Sequence, residues 1–116
     1  MIATAQTVGN VKVVTGRLRD TNQVALREMG DLIRSQLAPS VTALGSVLEG
    51  RPLFVVMATA DAGVNARDIA AKVAPTLGGS GGGRPDVAQA GGRDPEKLSE
   101  ALAQVVGLVE AQLASK

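Results

Sequence analysis

The sequence has no cysteine and no histidine. Disulfides, thiolate nucleophiles, zinc sites built from Cys or His, and histidine general bases are therefore excluded. Aromatic residues are almost missing too: Phe54 is the only one, with no Tyr or Trp. Single-strand binders that stack bases on exposed rings need several, so that class is also excluded. Charge of one sign is lacking as well, since 12 basic and 11 acidic residues leave a formal net charge of +1. No general pull towards nucleic acid follows from that balance, and any such contact has to be local and shape-based. No stretch nears the ~18–20 apolar residues of a membrane span. The start, MIATAQTVGNVKV, has no basic head followed by a long apolar run, as a secretion signal would. A soluble cytoplasmic domain without a membrane partner is expected.

What is present suits a packed core. The chain has 116 residues, 45% of them apolar and mostly Ala, Val and Leu, which is room for one domain. VKVVTGRL reads as a strand over about Val11–Leu18, following a Gly-Asn break. The period then changes. Leu26, Met29, Ile33 and Leu37 mark one helical face, with Leu32 beside it, Asp20 or Thr21 as cap and Pro39 as stop. Arg27, Glu28, Asp31 and Arg34 populate the other face as a solvated, salt-bridged surface. Two strands follow, about Val41–Leu48 and Pro52–Thr59, around a Glu49-Gly50 turn. The second, containing LFVVMA, is apolar on both sides and predicts a central strand with Phe54 and Met57 in the core.

A second helix is capped by Asn65 and carries Ile69, Val73 and Leu77 at intervals of four, with Pro75 near its end. The last helix is predicted over Pro95–Ala114, with Asp94 as cap and a stripe of Leu98, Leu102, Val105, Val109 and Leu113. A short strand is expected at Asp86–Ala90. The fold class is therefore α/β: a small mixed sheet covered by about three helices, with a Gly-rich loop before the last helix.

That loop is GGSGGGRPDVAQAGG, Gly78–Gly92. As a flexible linker it would strand residues 93–116, too few to fold alone, and their apolar stripe has to be buried on the same core. As a P-loop it fails, because Arg84-Pro85 stands where Lys and Ser/Thr belong. A Rossmann fingerprint fails too, since the segment follows a helix instead of the first strand. A structural turn comfortably explains one or two of the glycines. A nest explains more: consecutive glycines aim N–H groups at one point, where a phosphate or sugar–phosphate backbone can lie, and Arg84 adjoins it. The N-terminus of the last helix is a further anion site, partly filled by Asp94 and Glu96.

The segment GG-x-GGGRPD-x-AQAGG, with DPEKLSEALAQV behind it and VALREMGDLIRSQLAPSVTALGSVLEGRPLFVVMAT ahead, resembles the C-terminal domain of alanyl-tRNA synthetases. This domain is also called the DHH-associated domain, because relatives sit beside the catalytic domain of DHH phosphodiesterases. The resemblance runs from about Val11 to Leu113 and implies one non-catalytic domain, 1–116, that needs no cofactor. In the family this domain holds the outer corner of tRNA, where the D- and T-loops meet, and links charging with editing. Taken with the nest reading, the expected backbone cradle is Gly78, Gly79, Gly81, Gly82, Gly83 and Arg84, with Gln89 and Arg93 as polar contacts. Expected partners are alanine-specific tRNA at its elbow, the rest of a synthetase where the chain is a piece of one, and a second copy of the chain as a further candidate. The helical dimerisation segment, the ATP- and alanine-binding core and the editing region are absent from this sequence. Two other readings stay open: an oligonucleotide-binding module of the phosphodiesterase type, and a protein-interaction module with the glycine loop as architecture.

Overall fold

A computed structural model describes residues 2–114. Ile2–Val8 forms strand β1, antiparallel to β2 (Val11–Arg19), with Val8 opposite Val11 across the two-residue loop Gly9-Asn10. From the sequence no element is expected before Val11. Gly-Asn reads there as a break, whereas Gly9, at φ 61°, supplies the left-handed residue of a tight hairpin. Helix α1 (Gln23–Gln36) follows. Its cap is Asn22, whose side-chain oxygen accepts from the Ala25 N–H at 2.8 Å, and neither Asp20 nor Thr21. The Thr21 hydroxyl instead donates to the Arg19 carbonyl.

Strand β3 (Ser40–Leu48) returns parallel to β2, so α1 is the crossover between them. Strand β4 (Arg51–Ala58) turns back through the expected Glu49-Gly50 turn, whose φ values of 53° and 76° are those of type I′. A 3₁₀ turn at Ala60–Ala62 leads into α2 (Ala66–Val73), which Asn65 caps as expected. Two short strands follow, β5 (Ser80–Gly83) and β6 (Val87–Gly91), the second close to the strand expected at Asp86–Ala90. The predicted last helix starts as a 3₁₀ turn, Pro95–Lys97, before α3 (Leu98–Ala114). Asp94 makes no side-chain cap bond there, because its carboxylate lies over Gly78 instead.

The six strands form one mixed sheet in the order β1-β2-β3-β4-β6-β5, so the fold class is α/β as read from the sequence. On one face Val13, Val41, Ala43, Phe54 and Val56 pack beneath α2 and α3. On the other, Leu44, Val55 and Met57 meet Leu26, Met29 and Ile33 of α1. Alternation along each strand sends neighbours to opposite faces, which is why LFVVMA needs apolar residues throughout. Close approaches fix the helices. A Cβ on Gly30 would meet the Met57 sulfur at 2.8 Å, and one on Gly45 would meet Leu98 at 2.7 Å. Helix α1 packs across β3 and β4, so the face of β6 and β5 beyond it is left open. Among the described residues no helix is long and apolar enough to cross a membrane.

Candidate nucleic-acid interface

The open face is a trough of about 1260 Å³ between the first turn of α1, the start of β4 and the β5–β6 hairpin. Its formation begins with the end of α2. The chain continues one helical turn past Val73, and Gly78, at φ 73°, closes it in a Schellman arrangement. The Gly78 N–H donates to the Pro75 carbonyl and the Gly79 N–H to that of Ala74, both at 3.1 Å. From there the chain crosses the stretch that leaves β6, backbone on backbone. A Cβ on Gly79 would lie 1.9 Å from the Gly91 oxygen, and one on Gly92 would lie 2.0 Å from the Leu77 oxygen. The Leu77 carbonyl itself accepts from the N–H groups of Arg93 (2.9 Å) and Asp94 (3.0 Å). The two Gly-Gly pairs are one clasp.

Ser80–Gly83 is extended, and this corrects the expectation of a nest. In a strand successive N–H groups point to opposite sides, so they do not converge on one point. Architecture also accounts for more glycines than the one or two expected. Gly81 lies against the Ala70 carbonyl of α2, 2.7 Å from where a Cβ would be. Gly83 takes φ 145° close against Ala88. Gly82 differs: a Cβ there would meet nothing within 4 Å. It pairs with Gln89, on the side of the sheet where Gln89 reaches α1, so it opens into the trough.

The Arg84-Pro85-Asp86 turn is tied down by its carbonyls. Ala66 N–H donates to the Pro85 oxygen and Ala58 N–H to that of Asp86. The Arg84 side chain is left largely in solvent, with a loose 3.6 Å contact to Asp86 that contributes little. Gln89 reaches from β6 across to α1. Its side-chain oxygen accepts from the Gln23 amide at 3.1 Å. Arg93 lines the trough and forms no ion pair among the described residues.

Sequence reasoning missed three contributors, Gln23, Arg27 and Arg51. Asp31 and Arg34 of the polar α1 face do pair, at 2.8 Å, but Arg27 turns into the trough. Four arginines (Arg27, Arg51, Arg84 and Arg93) therefore line a trough to which no Asp or Glu contributes. Arg27, Arg51 and Arg93 enter no ion pair among the described residues. A third of the 12 cations is thus gathered on one face of a nearly neutral chain. Planar guanidiniums around an open strip of backbone suit the oxygens of phosphate groups. No three His, Cys, Asp or Glu side chains among the described residues come close enough to hold a metal.

A small mixed sheet with an interlocked double-glycine clasp and an arginine-lined trough defines the class, and the chain belongs to the DHHA1 domain family, which matches residues 10–111. Within that family it corresponds to the C-terminal domain of alanyl-tRNA synthetase. It is 46% identical over 117 residues to the alanine–tRNA ligase of Acetivibrio thermocellus, which covers 98% of this chain and 13% of the relative. Against the alanine–tRNA ligase of Roseiflexus sp. (strain RS-1) the identity is 42% over 115 residues, covering 97% and 13%. The chain therefore spans about 13% of the length of the curated relatives it matches. The crystal structure of the C-Ala domain from Aquifex aeolicus alanyl-tRNA synthetase superposes with a TM-score of 0.84 at 28% identity, covering 92% of this chain and 98% of that one.

Proposed function

We propose that this domain is a non-catalytic tRNA-holding module of an alanine–tRNA ligase, which carries the outer corner of the tRNA and so links aminoacylation with editing. One observation carries the reading: four arginines, unopposed by any lining carboxylate, surround a floor that Gly82 leaves free of side chain. A folded RNA is recognised mostly by shape and backbone contacts, which asks for local donors and not for a high net charge. The only aromatic ring, Phe54, is fully buried, so the trough has no platform on which to stack a base. This favours a folded RNA over the single-stranded ends that suit the phosphodiesterase type of module.

The test is a titration of labelled alanine-specific tRNA at low salt, against the same tRNA with its D- and T-loop corner disrupted and against a short single strand. Tightest binding to the intact tRNA is expected. Preference for the single strand assigns the trough to oligonucleotide ends, and no binding to any of the three makes it architecture. Gly82→Val sharpens the result. The branched side chain enters the trough and should weaken tRNA binding about tenfold. Thermal stability should change by less than ~0.5 kcal/mol, since valine suits a strand and meets no neighbour here.

A further inference from the structure

We infer that Gln23 is a positioning residue that locks the amide of Gln89 as a hydrogen-bond donor to a phosphodiester oxygen of the bound RNA. The inference rests on the RNA-holding reading of the trough and deepens it. A carboxamide has one oxygen that accepts and one nitrogen that donates, and which of them faces a neighbour is decided by that neighbour. Here the deciding group is the backbone carbonyl of Phe54 in β4, which can only accept. The Gln23 nitrogen must therefore be the end that faces it, at 3.3 Å. The same nitrogen lies 3.1 Å from the Gln89 oxygen, so both of its hydrogens are directed at acceptors. Turning Gln89 over would set nitrogen against nitrogen. Its oxygen therefore stays on Gln23, and its two N–H bonds are left for the trough.

Gln23 is itself fixed in place. It is the first residue of α1, directly after Asn22, whose side chain caps the helix. One backbone carbonyl thus sets the polarity of two side chains in series, and the second of them delivers donors to a floor ringed by guanidiniums. The acceptor that fits is an anionic oxygen of the RNA backbone.

The test is a double-mutant cycle with methionine, which keeps the length of glutamine and removes its polarity. Affinity for alanine-specific tRNA and phosphate-ethylation interference are read together on the whole chain. Gln89→Met should weaken binding about tenfold, as expected for loss of a hydrogen bond to a charged group. It should also erase one ethylation-sensitive phosphate. Gln23→Met should weaken binding about three- to fivefold and lose the same phosphate, whereas in the Gln89→Met background it should change neither readout. The inference is overturned if Gln23→Met leaves both readouts unchanged, or if it costs as much with Gln89→Met as without. A flat cycle in a protein whose tRNA binding still depends on Arg51 and Arg93 removes this inference and leaves the tRNA reading standing. Failure of the unaltered chain to bind tRNA removes both.

Discussion

Gly92→Ala is expected to cost about 4 kcal/mol or more and to lower the melting temperature by about 15 °C or more. The new Cβ would lie 2.0 Å from the Leu77 oxygen and 2.6 Å from the Leu77 carbonyl carbon. Both are backbone atoms, so no rotamer change relieves the overlap. Moving Leu77 away breaks the two bonds its carbonyl accepts from Arg93 and Asp94, which hold the chain between β6 and α3. A domain of this size has about 5–15 kcal/mol in total, so the loss is a large share. Gly79→Ala should behave alike, since its Cβ would fall on the Gly91 oxygen from the other side of the clasp. Thermal denaturation followed by circular dichroism checks this, with Gly82→Ala as a control that should melt like the parent. Equal melting of all three variants would show that the clasp is not rigid.

The second large effect is on binding. Replacing Arg51 and Arg93 together by alanine should weaken tRNA binding about 30-fold at low salt, roughly 1 kcal/mol for each contact. The slope of log affinity against log salt should fall in magnitude by about 2, one for each lost phosphate contact. The fold should be unaffected, because both side chains are exposed and neither forms an ion pair among the described residues. Arg34→Ala is the control, since Arg34 pairs with Asp31 away from the trough and its loss should leave the slope alone. If the double variant kept the parent's salt slope, phosphates would not be what the trough holds.

Much of the fold was legible because local rules and tertiary packing agree. The stripe of Leu98, Leu102, Val105 and Val109 is buried as its period demands, and Gly50 marks the turn where the hairpin closes, carrying Glu49 into the left-handed region with it. Strand β1 was hidden for the opposite reason. Its exposed Ala5, Gln6 and Thr7 show no apolar run, and its only marker is the Gly9-Asn10 loop. Strand β5 could not be read locally at all. Ser-Gly-Gly-Gly has poor strand propensity and is extended only because β6 pairs with it and α2 presses close. Arg84, Gln89 and Arg93 were legible from the glycine motif that contains or adjoins them. Arg27, Arg51 and Gln23 were not, since they reach the trough only because β4 pairs with β6 and leaves β5 outside. No spacing within the chain encodes that order.

The position of β5 has a consequence for the behaviour of the protein in concentrated solution. An edge strand offers unpaired peptide groups to any passing chain, and sheets commonly guard such edges with charge, proline or a bulge. Here the guard is the lack of side chains. Pairing between strands draws most of its stability from cross-strand side-chain contacts, and three glycines in a row supply none while losing the most backbone entropy. A second sheet therefore gains little by adding to this edge, and no dry zipper can form on it. The same three glycines that leave backbone bare beside the trough thus make this edge a poor seed for aggregation.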